Sequence, residues 1–260
     1  MKTIAIDAID IKSFGGLVHL QQLIKKLSRK NVYIKIFSNS FVENKLTFKN
    51  NKKIKIIKNS FFDINFILRH LWKIFFFEKE LNKKNCKLLL SLNGIYHGFY
   101  NPTILVQQNI LPFDDYAKSK YNFLFNLKFF FQKLAILLSI KIHKHVIFTS
   151  FDTRKRILKY FKSKNLLNTN VIYHGASNKS VKNKFFFKKK LKLLFVSEFQ
   201  KYKNHENLFH AIKKDKKRLI NLTCIGKYEV SDLKKLNTKY NFKKINIKVL
   251  STISPNSSFS

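Results

Sequence analysis

Short, continuous apolar runs recur along this chain, each leading into a polar or glycine-bearing loop and then into residues at helical spacing. Residues 2–6, 32–37, 54–57, 88–91, 103–106, 146–149, 170–173, 193–196, 219–225 and 245–250 fit that description. A strand that is apolar along its length, instead of alternating, is buried on both faces, as in a parallel sheet with helices on either side. The intervening segments supply those helices. Leu17, Leu20, Leu23, Ile24 and Leu27 share one helical face, residues 64–81 carry Phe66, Ile67, Trp72, Ile74 and Phe75 as a broad apolar face, and residues 121–142 are rich in Phe and Leu. Ser150 is placed to cap a helix running to Phe161, Asn204 opens an amphipathic helix, and residues 230–240 form another. The pattern predicts an α/β fold with parallel sheets, whose ligands sit beyond the C-terminal ends of the strands.

The alternation is interrupted once. Residues 178–190, NKSVKNKFFFKKK, lack periodicity and read as a linker between an N-terminal domain of residues 1–177 and a C-terminal part of residues 191–260.

The formal charge of +38 raises the question of nucleic acid or an anionic membrane. Only five of the 52 basic residues are arginine, and Lys, Asn, Ile and Phe abound while Ala, Gly and Pro are scarce. An A/T-rich coding sequence produces that bias without selection for binding. A dedicated nucleic-acid reader uses arginine for bidentate and stacking contacts, so lysine spread along the chain favours a solvated coat over specific nucleic-acid recognition. Cys86 and Cys224 lie far apart, form no metal-spaced cluster and read as reduced thiols of a cytoplasmic protein. The N-terminal apolar run is broken by Asp7 and Asp10 and has no signal-peptide core. Residues 123–142 are interrupted by Asn126, Lys128, Gln132 and Lys133, which favours a helix packed on the sheet, with peripheral contact at the inner membrane face as the alternative.

Three loops carry the chemistry. The first strand leads into Ser13-Phe14-Gly15-Gly16, where paired glycines either let a backbone approach a ligand or serve an ordinary tight turn; the spacing is not the G-x-G-x-x-G fingerprint. The strand at 103–106 enters Gln107-Gln108-Asn109-Ile110-Leu111-Pro112-Phe113. The strand at 193–196 enters a turn with Lys201 and Lys203 just before a helix start, where unpaired N–H groups and the helix dipole favour an anion.

Taken in order, Gly15-Gly16, QNILPF at 108–113, VIFTS at 146–150, VIYHG at 171–175, LLFVSEFQKYKNHENLFHAI at 193–212 and CIG at 224–226 resemble the family 4 glycosyltransferases of the GT-B class. The resemblance implies two Rossmann-like domains facing a cleft and a sugar-nucleotide donor held mainly by the C-terminal domain. It also implies a saccharide or lipid-linked acceptor held mainly by the N-terminal domain, and retaining transfer of a hexosyl unit with neither metal nor cofactor. Under it, Lys203 takes the donor-phosphate position, Gly15 and Gly16 approach the donor diphosphate, and Gly175 of the VIYHG run lies on the donor side. Gln108 and Asn109 stand in the catalytic loop where many members carry a histidine.

The chain departs from the pattern at Glu198, where many members have an arginine completing a basic clamp, and at Gln108, which cannot transfer a proton as histidine does. The family's C-terminal glutamate pair would follow where the sequence ends. This implies an incomplete C-terminal domain and weak or absent turnover by the chain alone. The competing reading is a basic protein that binds nucleic acid or anionic lipid without catalysis. No Asp-x-Asp pair or G-x-S-x-G run supports a metal-dependent transferase or a serine hydrolase.

Overall fold

The computed structural model describes residues 1–48, 51–162, 168–175, 190–215, 219–226 and 245–250. The chain divides into two compact units, Met1–Lys118 with Phe123–Ser177, and Ser119–Asn122 with Asn178–Ser260. The expected linker at 178–189 and the expected helix at 230–240 lie outside the described residues, and Lys190 already belongs to a strand.

The elements of the first unit follow one another as β1 (Lys2–Ala8), α1 (Phe14–Leu27), β2 (Val32–Ser38), α2 (Ser40–Lys45), β3 (Ile54–Ile57), α3 (Phe66–Phe75), α4 (Phe77–Lys83) and β4 (Leu88–Ser91). Then come β5 (Thr103–Gln107), α5 (Asp115–Ser119), α6 (Phe123–His143), β6 (His145–Phe148), α7 (Phe151–Leu158) and β7 (Asn168–Val171). All seven strands are parallel, in the order β3-β2-β1-β4-β5-β6-β7. Ile4 lies opposite Ile34 on one side and Leu88 on the other, so the apolar runs pair with one another along the centre of the sheet.

Both faces are covered, which accounts for the unbroken apolar runs. α1 and α2 bury Leu17, Leu20, Ile24 and Val42 against Ile6, Ile34 and Ile36. On the opposite face Trp72, Phe77, Leu81, Ile136, Ile140 and Ile157 pack on Ala5, Phe37, Leu89, Leu105 and Phe148. The chain walks from β1 outward to β3, then returns to β4 on the other side of β1. Loops leaving β1 and β4 therefore diverge and open a crevice at the C-terminal edge, the usual ligand position in such sheets.

Three helices differ from the sequence-based expectation. The helix expected over 64–81 is two helices, α3 and α4, parted at Phe76, and α4 carries Phe77 and Leu81 into the core. Its apolar face is also partly inverted. Ile67 and Phe75 are each 69% exposed, while Arg69 and Lys73 are buried because carboxylates of the β1 segment meet them there. The Phe- and Leu-rich helix α6 packs on the sheet through Phe129, Ile136 and Ile140, but its opposite side is open to solvent. The helix capped by Ser150 ends at Leu158, short of Phe161.

The second unit contains β8 (Lys190–Val196), α8 (His205–Lys214), β9 (Leu219–Ile225) and β10 (Ile245–Leu250). The three strands are parallel in the order β10-β9-β8. Phe209 and Ile212 of α8 pack on Ile220, Leu222 and Cys224, joined by Leu193 and Phe195. On β8 the alternate residues Leu194 and Val196 are exposed, so this strand does not share the two-sided burial of the first sheet. A Cβ at Gly226, just past β9, would run into the Ser197 carbonyl oxygen beyond β8, which explains a glycine there.

Candidate functional site

The loop of Asp10 to Ser13 rises from the C-terminal end of β1 into α1. Ser13 takes the extended backbone of an N-cap, and its Oγ accepts the Gly16 N–H at 3.2 Å. Gly15 and Gly16 therefore stand in the first turn of α1, not in the preceding loop. Their reasons for being glycine differ. A Cβ on Gly16 would press to 3.0 Å of the Ile11 side chain, a packing constraint, whereas a Cβ on Gly15 would meet nothing within 4 Å. Gly15 is thus exposed at the positive end of a 14-residue helix whose first turn holds no acidic residue, an electrostatic setting suited to an anion.

Facing this helix is a histidine pair that the sequence reading missed. His19, one turn into α1, and His174, past the end of β7, bring their Nδ1 atoms to 2.7 Å, with the rings edge to face at 4.5 Å. One ring must donate and the other accept, so at least one imidazole is neutral in this contact. Burial, reinforced by His174, lowers the His19 pKa. The pair joins α1 to the VIYHG segment, and a separation of 155 residues gave no local signal for it. Gly175 follows it in the open, with nothing within 4 Å of a built Cβ.

The loop after β5 leaves the same sheet edge. Gln108 donates its side-chain N–H to the Leu92 carbonyl at 3.1 Å, tying this loop to the one after β4. Asn109 accepts the Leu111 N–H on its Oδ1 at 3.1 Å, while its own carbonyl accepts from Gln107 Nε2 at 3.0 Å. Both candidate residues thus hold the loop in shape. Gly94, at φ +66°, makes the turn after β4 beside Gln107.

Beneath the crevice lies a second group that the sequence reading passed over. Lys73 Nζ donates to Asp7 at 2.7 Å and to Asp10 at 2.6 Å, and Arg69 Nε donates to Asp10 at 2.6 Å. Asp7, Arg69 and Lys73 are all at least 98% buried. Burial alone would lower the Lys73 pKa, but Asp10 and Asp7 lift it above its ordinary value. Burial, the largest single influence, works to raise the Asp10 pKa, but Lys73, His70 and Arg69 together outweigh it and hold this carboxyl below the usual carboxylate range. Burial raises the Asp7 pKa against the pull of Lys73, so the firmest ion pairing is at Asp10, and the four side chains together fasten α3 to the loop that delivers α1. The available signal was a carboxylate inside an apolar strand, Asp7, matched by two cations four residues apart on one helix.

In the second unit, Lys201–Lys203 form a single 3-10 turn after β8, and Asn204 takes a left-handed conformation at the start of α8 without a side-chain capping bond. Lys203 is exposed, its Nζ 5.1 Å from the centre of the Tyr202 ring. His205 beneath it is buried between Phe195 and Phe199, and burial, together with the Lys203 charge, lowers its pKa. Glu198 is exposed past the end of β8, where it adds negative charge near Tyr202. The segment offers one cation and a helix start to an anion, as the sequence suggested, with a carboxylate in the neighbourhood.

No protein-family model and no curated protein sequence matches the chain. Solved structures do. It is similar to the apo form of the lipopolysaccharide outer core galactosyltransferase WaaB, with a TM-score of 0.60 and 15% identity, covering 98% of this chain and 69% of that one. It is also similar to sucrose-phosphate synthase from Thermosynechococcus elongatus, with a TM-score of 0.66 and 12% identity over 98% and 71% of the two chains. A third similar structure is the UDP-GlcNAc 2-epimerase from Methanocaldococcus jannaschii, with a TM-score of 0.50 and 14% identity over 98% and 74%. At these identities the likeness is one of fold: the chain has a GT-B-like α/β architecture.

Proposed function

We propose that this chain is a glycosyltransferase that moves a hexosyl unit from a sugar nucleotide to a saccharide or lipid-linked acceptor, with retention and without a bound metal. The observation that carries the reading is the placement of Gly15, at the exposed positive end of α1, on the C-terminal edge where the strand order reverses. The likeness to two glycosyltransferase structures supports it at the level of fold. As the glycosidic bond of the donor breaks, negative charge builds on the departing diphosphate. Cations and N–H groups fixed in advance lower the barrier because they meet that charge where it develops. In the proposed reaction Lys203 and the start of α8 serve the donor phosphate within the second unit, and the first turn of α1 offers its N–H groups to an anion within the first. The loop of Gln108 and Asn109 serves the transferred sugar by positioning, since neither amide can act as a proton donor of ordinary acidity.

The test is an assay of the 260-residue chain with a panel of UDP-, GDP- and ADP-sugars, following nucleoside diphosphate release and product anomer by NMR. The reading predicts release from one nucleotide class with the anomeric configuration kept in the product. Conversion of UDP-GlcNAc to its C2 epimer would instead place the chain with the epimerase among its structural neighbours. Silence across the whole panel joined to a failure to bind any nucleoside diphosphate would contradict the proposal, since slow or absent turnover alone is what an incomplete C-terminal domain implies.

A further inference from the structure

The outer face of α6 has no function in the reading above. The six residues Phe123, Leu127, Phe130, Phe131, Leu134 and Leu138 recur at the spacing of one helical stripe, and each is between 42% and 77% exposed. The stripe runs for roughly 22 Å along the helix at 1.5 Å per residue. Monomeric soluble proteins rarely leave a continuous apolar surface of this size uncovered. On the same face of the sheet, α3 exposes Ile67, Leu71 and Phe75, and the two helices are tied through His97, which lies near His70 and bonds to the Ala135 carbonyl.

Charge identifies what covers this face. Between Asp115 and Asp152 the sequence contains six lysines and no carboxylate, and between Asp63 and Glu78, the span that includes α3, it again contains no carboxylate. Lys128 and Lys141 are exposed on α6 itself. A second copy of this chain would bring the same lysine-rich surface against its own likeness, whereas an anionic bilayer supplies both acyl chains for the aromatic stripe and negative headgroups for the lysines.

α6 is also long and apolar enough to cross a membrane. Its other side argues against crossing. Phe129, Ile136 and Ile140 are buried, Ser139 Oγ accepts the Tyr96 N–H at 3.1 Å, and His143 Nε2 is bonded to the Tyr96 carbonyl at 3.1 Å. Crossing would strip these residues from the sheet.

We infer that the outer face of α6 is a membrane-docking surface, laid flat on an anionic bilayer with its aromatic stripe in the headgroup and acyl boundary and its flanking lysines on lipid phosphates. This inference stands apart from the transfer reading, because it concerns a surface and not the sugar-nucleotide site. It is tested by flotation of the full chain with vesicles of 30% phosphatidylglycerol and 70% phosphatidylcholine, compared with phosphatidylcholine alone, at physiological salt. Wild type is expected to float with the anionic vesicles and to bind phosphatidylcholine more weakly, by about fivefold for each lysine that meets a charged headgroup.

The double substitution Phe130→Glu with Leu134→Glu is expected to weaken binding by at least about tenfold, since it removes apolar contact and adds repulsion. Val18→Glu, at an exposed apolar position of α1 on the opposite face of the sheet, is expected to leave binding unchanged. Circular dichroism confirms that each variant is folded. Undiminished flotation of the double variant, or equal loss in the Val18→Glu control, overturns the assignment. So does a wild-type chain that sediments as a dimer which the double substitution splits, because the occupant would then be a second copy.

Discussion

At the scale of single residues, the Asp7–Lys73–Asp10–Arg69 cluster is the feature with the largest energetic stake. Removing one charge leaves its partners buried and uncompensated, which costs more than an intact pair contributes. Lys73→Met is therefore expected to destabilise the chain by about 3–5 kcal/mol, measured as the shift in a urea unfolding curve. A loss below about 1 kcal/mol would mean that the pocket admits water to Asp7.

His70, on the same helix, makes a pH prediction. Burial, followed by the Lys73 charge, lowers its pKa from 6.5 to about 4 in the fold. A depressed histidine binds fewer protons folded than unfolded, so its contribution is complete above about pH 6.5 and is lost as pH falls toward about 4. Unfolding titrations at pH 7.5 and 4.5 should show His70→Asn losing less stability than wild type, by about 2 kcal/mol after allowance for its partial exposure. Parallel losses in the two proteins would place the pH dependence elsewhere.

At the scale of elements, legibility followed from how locally each contact is made. The strands were readable because a parallel sheet demands runs apolar on both faces, and residues 88–91 or 219–225 could be little else. The glycine segment was readable as a strand-to-helix passage, but the residue where the helix begins depends on the Ser13 cap, so Gly15 and Gly16 moved from loop to first turn. Helix faces were the weak point. On α3 Ile67, Leu71 and Phe75 point outward, while Arg69 and Lys73 turn inward beside Trp72 because Asp7 on β1 and Asp10 just past it, about 60 residues away in sequence, wait there. No window of sequence around α3 contains that information.

α6 shows the same difficulty, since it is apolar nearly all round and composition cannot say which side packs. The structure divides it, and the division can be measured. Ile136→Ala, on the buried side, should cost about 2–5 kcal/mol, whereas Leu134→Ala, on the open side, should stay within about 0.5 kcal/mol. Comparable losses at both positions, read from thermal or urea unfolding, would mean that the outer face is packed in solution.

At the scale of the whole molecule, the alternation of strand and helix announced an α/β chain with parallel sheets, the resemblance of its loops implied the GT-B-like arrangement, and the likeness to known structures agrees with that fold at 12–15% identity. The candidate site was only partly legible. The two segments suited to an anion, the start of α1 in one unit and the turn before α8 in the other, could be suggested from local sequence. The His19–His174 contact and the ion cluster beneath α1 are products of tertiary folding, and the roles of Gln108 and Asn109 in fixing loops became visible only with their partners.

The central claim is that the chain holds a nucleoside diphosphate and departs it from a sugar. Calorimetric titration with UDP, GDP and ADP, for wild type and for Lys203→Ala, tests it most directly. Lys203 is exposed, so its loss should spare the fold. The account predicts saturable binding of one nucleoside diphosphate, weakened about tenfold by the substitution through loss of a charge-assisted contact. Absence of binding by all three, or affinity that Lys203→Ala leaves unchanged, would contradict it.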